Sequence, residues 1–140
     1  MTMISTSFID ELLKRTISAF LVEGPESKLL LDGFGAPLGT FSSRIKMAIA
    51  LGLLNRDEAK DTDILRTIRN DFAHRVHISF SDSSIKDRCL NLQLAAKDYG
   101  SVTVNTRTRF LSSATAIILN LTNRAHYASL ERLTSRSWGA

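Results

Sequence analysis

The residue types best suited to chemistry in this chain form one short stretch, Arg69-Asn70-Asp71-Phe72-Ala73-His74. Arginine presents a fixed fork of donors that suits phosphate, and the unperturbed pKa of histidine lies close to neutral pH. A histidine beside a ribose 2′-hydroxyl would act as a general base, while the arginine would stabilise charge on the phosphate. Asn70 lies four residues before His74, on the same helical face, and would orient the ring or the scissile phosphate. Arg69, Asn70 and His74 are therefore the candidate catalytic residues, and this chemistry needs no metal.

Helix geometry sets a condition on this hypothesis. Five residues at about 100° each place Arg69 about 140° from His74 on an ideal helix. The reach of a long arginine, unwinding of the last helical turn, or a second copy of the motif across a two-fold dimer would each bring the two side chains together.

Two other interpretations of the same six residues remain open. In the first, Arg69 and Asp71 make solvated surface contacts while His74 caps the C-terminal end of the helix. In the second, the motif binds a partner and cleaves nothing. Spacing alone does not separate this binding role from catalysis.

The elements that must position these residues are helices, because apolar residues recur at helical spacing along most of the chain. The predicted helices cover residues 8–21, 26–32, 41–51, a segment from Asn55 or Asp57 to His74 or Arg75, 85–96 and 106–133. Such amphipathic helices bury their apolar stripes against one another. The sequence therefore predicts an all-α fold, a single-domain bundle of five or six helices spanning residues 1–140.

One segment departs from the helical pattern. Residues 76–80 (Val-His-Ile-Ser-Phe) alternate as a short strand would, and residues 102–104 (Val-Thr-Val) are the best candidate to pair with them. The alternatives are a small β-hairpin and an extended connection.

Composition agrees with one helical domain. The chain has 140 residues, of which 44% are hydrophobic, and it contains only seven glycines and two prolines, which is little material for the turns of a sandwich or barrel. Residues 1–63 hold seven Lys/Arg against nine Asp/Glu, whereas residues 64–140 hold eleven against five. This asymmetry favours RNA, DNA or an acidic protein as partner, or else it only solubilises the C-terminal half.

Cys89 is the single cysteine and lies in an apolar run, which predicts a buried small hydrophobic residue. His77 and His126 show no metal-ligand spacing, so neither a metal nor another cofactor is expected. The longest apolar stretch, residues 114–121, is far shorter than the roughly 20 residues of a membrane span. With no leader-like N-terminus, the sequence predicts a cytoplasmic protein that does not enter a membrane.

The glycine-rich segment 33–39 precedes a helix but has neither a preceding strand nor a Gly-Lys-Ser/Thr sequence. We interpret it as a structural turn between two helices. Arg44 and Lys46 in the following helix are candidates to face an anion, although Arg44 would equally suit a partly buried position where it bonds loop carbonyls.

Three ordered motifs carry a family resemblance: residues 29–39 (Leu-Leu-Leu-Asp-Gly-Phe-Gly-Ala-Pro-Leu-Gly), 41–46 (Phe-Ser-Ser-Arg-Ile-Lys) and 50–54 (Ala-Leu-Gly-Leu-Leu). With residues 64–74, which include Arg66, they cover about a third of the chain, and they resemble the mannitol operon repressor family. That resemblance implies an all-helical, self-associating cytoplasmic protein involved in transcriptional regulation. Arg44, Lys46 and Arg66 are its candidate binding residues.

The stretch from Arg69 to His74 also resembles the Arg-x-x-x-x-His signature of HEPN-domain proteins, which are dimerising helical bundles that include metal-independent endoribonucleases. Two hypotheses follow. The leading one is a mannitol-repressor-like regulator that acts as a homodimer through protein or nucleic-acid contacts. No basic recognition helix of a helix-turn-helix is evident, so the sequence indicates no mechanism for reading DNA bases. The alternative is a HEPN-type ribonuclease, with a toxin or defence role and an antitoxin as its protein partner.

Overall fold

The computed structural model describes residues 2–139, and within them regular structure is helical. The helices are α1 (Thr2–Phe20), α2 (Pro25–Leu31), α3 (Phe41–Ala50), α4 (Arg56–His74), α5 (Ser83–Leu90), α6 (Thr106–Thr122) and α7 (Arg124–Leu130). The prediction of an all-α bundle is confirmed. None of the described helices is both long and apolar enough to cross a membrane.

Helix α1 lies at the centre of the bundle and contacts α2, α3, α4, α6 and α7. Ile9, Leu13 and Ile17 on its inner face are fully buried, as the spacing of apolar residues predicts. Burial of each such side chain stabilises the fold by about 1.5–3 kcal/mol relative to leaving it exposed. The core is continuous from this helix to α6, where Phe110 and Ile117 are also fully buried.

Two helices begin with a reciprocal cap that fixes their start. Thr40 and Ser43 form a capping box at α3, and Asn55 and Glu58 form one at α4. In each pair the first side chain accepts from the backbone N–H three residues on, and the second accepts from the N-cap backbone. Helix α4, which begins at the Asn55 cap, carries in its last turns the motif that ends at His74.

The prediction of a single helix over residues 106–133 is wrong, because the chain breaks at Asn123 into α6 and α7. Asn123 has φ −105° and ψ 4°, and its N–H bonds to the carbonyl of Leu121. The break lets α7 pack along α1, and just beyond α7 Arg132 donates to the carbonyl oxygens of Ser18 and Leu21 at 3.1 and 2.8 Å. The described chain therefore has seven helical segments, of which α6 and α7 replace the one helix predicted there.

The helix predicted over residues 85–96 ends early, at Leu90. Beyond it the backbone N–H groups of Gln93 and Leu94 donate to the carboxylate of Asp61 in α4, at 2.7 and 2.8 Å. These bonds hold residues 93–94 out of the helical path while Leu92 still reaches the core, where it is 3% exposed. The apolar residues after Leu90 are therefore spaced as in a helix because they are buried, although the backbone there is not helical.

Residues 76–80 form no strand in the described chain, so of the two alternatives the hairpin with residues 102–104 does not form and the segment is a connection. Ile78 and Phe80 instead pack against the core from an irregular segment, which accounts for their alternation. Val102 does form an isolated antiparallel bridge, but its partner is Tyr99.

Candidate functional site

The motif from Arg69 to His74 forms the last turns of α4, which stays helical through His74. The N–H of Arg75 closes the helix by donating to the carbonyl of Asp71 at 3.0 Å. The last turn is therefore not unwound, and the separation of about 140° between Arg69 and His74 holds in the folded chain. Local unwinding therefore does not bring Arg69 and His74 together in this structure.

Arg69 lies on the side of α4 that faces α3. Its guanidinium carbon is 5.5 Å from the centroid of the Phe41 ring, which is buried at the start of α3. This is a cation–π contact, an attraction between the positive guanidinium and the negative face of the ring. Arg69 thus has a structural partner, and it remains half-buried beside that partner.

Asn70 and His74 lie one helical turn apart on a common face of α4, as predicted. Asn70 is half-buried and His74 is exposed. Asp71 lies 3.7 Å from Nε of Arg88 in α5. Within residues 2–139 no hydrogen bond or ion pair joins Arg69, Asn70 and His74 to one another, so the three do not form an assembled catalytic group in one chain.

The predicted binding residues have separate surroundings. Arg44 donates to the carbonyls of Leu38 and Leu31 and pairs with Asp10 at 2.9 Å, which matches its interpretation as a loop-bonding arginine. Arg66 makes two hydrogen bonds to one carboxylate oxygen of Asp63, on its own helix. Lys46 is exposed, and no ion pair to it forms within residues 2–139.

The glycine-rich segment before α3 forms a turn, as interpreted from the sequence. Gly33 and Gly35 have φ values of 101° and 74°, which residues with a Cβ rarely adopt. The N–H of Leu38 bonds back to the carbonyl of Leu30 at 2.7 Å, and Arg44 bonds to the carbonyl of Leu38. Arg44 therefore fastens this turn to α1 through Asp10.

A cleft that the sequence did not indicate lies between α5 and the beginning of α6. Its volume is about 510 Å³, and Lys86, Leu90, Arg107 and Arg109 are among its lining residues. Phe80 forms part of its wall and contacts Phe72 of the Arg69–His74 motif in a tilted arrangement, with ring centroids 5.0 Å apart. In the sequence, only the excess of basic residues after residue 63 could have indicated this cleft.

Helix α4 also contains two buried carboxylates that the sequence did not indicate. Asp61 is fully buried and accepts from Gln93, Leu94 and the hydroxyl of Ser113. Glu58 is also fully buried and accepts from Arg124 of α7 at 2.6 Å. Burial raises the pKa of Glu58, but hydrogen bonds from Arg124 and at the Asn55 cap outweigh burial, so the pKa lies below its ordinary value of 4.5.

Cys89 is fully buried, as predicted. Burial raises the pKa of its thiol to about 11, so the reactive thiolate is scarce near neutral pH. Across the described residues, 2–139, no group of three or more His, Cys, Asp or Glu side chains is arranged to hold a metal ion.

Comparison with known proteins finds similarity over part of the sequence. No family model matches the chain. A segment of 57 residues is 40% identical to the mannitol operon repressor of Escherichia coli strain K12, and to the same extent to that of a second Escherichia coli strain, O6:H1. The segment covers 40% of this chain and only 29% of the length of these relatives.

The fold is similar to one solved by crystallography. In the X-ray structure of the MtlR–HPr complex from Escherichia coli, one chain matches this one with a TM-score of 0.61 over 91% of this chain and 87% of that chain. The two sequences are 22% identical over the match. The likeness establishes a shared helical fold.

Proposed function

We propose that this chain is a mannitol-repressor-like transcriptional regulator that acts as a homodimer through protein or nucleic-acid contacts. The observation that carries the proposal is the 57-residue segment that is 40% identical to the mannitol operon repressor. The sequence motifs that resemble this family include the glycine-rich turn at residues 33–39 and Arg44, which bonds to that turn.

The geometry favours contact with a protein over reading of DNA bases. A recognition helix must present exposed side chains to the major groove. Helix α6 begins with two arginines, Arg107 and Arg109, but one face along its length, including Phe110, Ile117 and Leu121, is buried in the core. A protein of similar fold is found in complex with HPr, which supports a protein partner for this chain as well.

Self-association is supported by an exposed apolar patch at the beginning of α1. Ile4 is 76% exposed, and Met3 and Phe8 are each about half exposed beside it. Exposed apolar side chains that adjoin one another are typical of protein interaction sites. The substitutions Ile4→Glu and Phe8→Glu should turn a dimer into a monomer in light-scattering measurements, whereas Leu29→Glu, at an exposed leucine of α2, should not.

The regulatory role is tested by deleting the gene in its native host and measuring transcripts of the mannitol-utilisation genes. We expect these transcripts to rise and to return to their original level when the gene is restored. Calorimetric titration of the purified chain with HPr from the same host tests the protein contact separately. Unchanged transcripts would refute the regulatory role, and no measurable heat with HPr would refute this choice of partner.

A HEPN-type ribonuclease is the alternative, and one observation favours it: Asn70 and His74 share a face at an exposed end of α4. A second copy would have to supply the arginine, because Arg69 of the same chain packs on Phe41. RNA cleavage with a chelator present should then be lost in His74→Ala and Arg69→Ala and kept in Arg75→Ala. Absence of cleavage by the unaltered chain across varied RNAs would refute this alternative.

A further inference from the structure

The cleft between α5 and α6 has the size and shape of a small-molecule site. Its volume of about 510 Å³ lies within the range of roughly 300–1,000 Å³ that is usual for ligand pockets. Its walls come from the irregular segment around Phe80, from α5, from residues 98–105 and from the first turn of α6. Neither the candidate catalytic residues nor Arg44, Lys46 and Arg66 line it.

One wall of the cleft is apolar and firmly held. The ring of Phe80 contacts the rings of Phe72 and Phe110, both tilted relative to it, with centroid distances of 5.0 and 5.6 Å. Phe110 is fully buried, so this aromatic cluster connects the wall to the core. Leu90 adds an aliphatic side chain that is 62% exposed. The wall therefore offers a fixed surface to a planar or apolar group.

Two basic side chains of the cleft have no ion-pair partner among residues 2–139. Asp98 is its one carboxylate, and it accepts from Arg109 at 3.1 Å and from the N–H of Val104 at 2.7 Å. That pairing neutralises Arg109. Lys86 and Arg107 also line the cleft, and no ion pair to either forms within residues 2–139.

We propose that this cleft binds a small organic phosphate ester that carries a planar apolar group. Lys86 and Arg107 bind the phosphate, since arginine makes paired hydrogen bonds to phosphate oxygens and lysine supplies a compact positive charge. The apolar group lies against Phe80 and Leu90. This site is independent of the regulatory role proposed above and of RNA cleavage at His74.

A compact ligand suits the surroundings of the cleft better than a nucleic acid strand does. A strand needs a basic groove that continues along its backbone. Here Asp82 precedes α5 as its N-cap residue and Asp87 lies within that helix, so negative charges interrupt the basic surface close to Lys86. The unpaired positive charge is therefore local, as a single phosphate group requires.

Phenyl phosphate is the simplest probe with both features. In an NMR titration of the full ¹⁵N-labelled chain, it should shift the amide signals of Leu90, Arg107 and their neighbours and saturate with a Kd near or below about 1 mM. Lys86→Gln and Arg107→Gln should each weaken binding about tenfold. Arg56→Gln, which removes an exposed arginine at the start of α4, should leave the Kd unchanged.

Companion titrations separate the two halves of the ligand. Inorganic phosphate should bind at least about fivefold more weakly than phenyl phosphate, and Leu90→Ala should reduce that difference because the exposed leucine contacts the ring. The amide spectrum of each variant reports whether it is folded. Shifts that do not saturate, shifts that persist in Lys86→Gln and Arg107→Gln, or equal affinity for inorganic phosphate would overturn the proposal. So would a single-stranded RNA that binds the same residues more tightly than phenyl phosphate.

Discussion

Replacing Asp61 should destabilise this protein more than replacing any exposed carboxylate of α4. Asp61 is fully buried and accepts three hydrogen bonds. Oδ1 accepts from the N–H of Gln93 at 2.7 Å, and Oδ2 accepts from the N–H of Leu94 and the hydroxyl of Ser113, both at 2.8 Å. One side chain of α4 thereby holds the segment after α5 and the middle of α6.

The expected cost follows from these bonds. A hydrogen bond to a charged group contributes about 1.5–3 kcal/mol, but water can reach the exposed Gln93 once its partner is removed, so that bond counts at the low end. Asp61→Ala should therefore lower the free energy of unfolding by about 5 kcal/mol, a large share of the 5–15 kcal/mol that is usual for a domain. Asp61→Asn should cost less than Asp61→Ala, because its amide oxygen can still accept from Leu94 and Ser113, while its amide nitrogen is a donor and cannot accept from the N–H of Gln93.

Urea unfolding followed by circular dichroism measures these differences, and hydrogen exchange at the amides of Gln93 and Leu94 locates them. Asp63→Ala is the matched control, since Asp63 lies two residues along the same helix and is exposed, with its pairing to Arg66 made at the surface. It should cost no more than about 0.5 kcal/mol. If Asp61→Ala unfolds within about 0.5 kcal/mol of the unaltered chain, the reasoning from burial and bonding is wrong.

Three further predictions concern other buried or partly buried groups. Glu58 has a lowered pKa, so its stabilising contribution should be complete above pH 4.5 and lost as the pH falls through its folded-state pKa. Glu58→Gln should flatten that acid dependence of unfolding, and an unchanged profile would contradict it. Arg69→Ala should lower the free energy of unfolding in urea by about 0.5–1 kcal/mol through loss of the contact with Phe41. In a chain that already carries Phe41→Leu, the same Arg69→Ala substitution should cost much less, because the ring is no longer there. Cys89 should react with a thiol reagent at pH 8 far more slowly in the folded chain than in urea, because its pKa of about 11 leaves roughly one thiolate in a thousand; equal rates would show that the thiol is accessible.

The helices could be predicted from the sequence wherever local signals and burial agree. In α4 the candidate caps Asn55 and Asp57 lie two positions apart, and the structure uses Asn55 with Glu58 in a capping box. The apolar spacing of Leu65 and Ile68 correctly marked the buried face of that helix. These signals act within one or two turns, so a reading of neighbouring residues detects them.

The early end of α5 has a cause that lies far away in the chain. Helix α5 ends early because Asp61 binds the backbone of Gln93, 32 residues away. The bond from Ser113 to the same carboxylate spans 52 residues. An isolated Asp61 in a polar helical stretch looks like a solvated surface residue, since most aspartates are exposed. Only the packing of α4 beside α5 and α6 reveals that it is buried.

The candidate catalytic residues were predicted as a group, but their surroundings were not. Asn70 and His74 share a face, which the period of a helix is enough to indicate. The position of Arg69 depends on Phe41, which belongs to a different helix and precedes it by 28 residues. The catalytic role stays a prediction, and a second copy of the chain is the arrangement that would satisfy its geometry.

The aromatic cluster of Phe72, Phe80 and Phe110 links the motif of α4 to the cleft and determines which variants can distinguish the proposals. Phe72 belongs to the motif, but its ring supports Phe80, the wall of the cleft. Any substitution of Phe72 should therefore disturb both places, and loss of activity in such a variant would assign nothing. His74 is exposed and does not line the cleft, while Lys86 lines the cleft on α5. His74→Ala should leave phenyl phosphate binding intact, and Lys86→Gln should leave any RNA cleavage intact. If either variant affects both measurements, the cleft and the motif form one functional site.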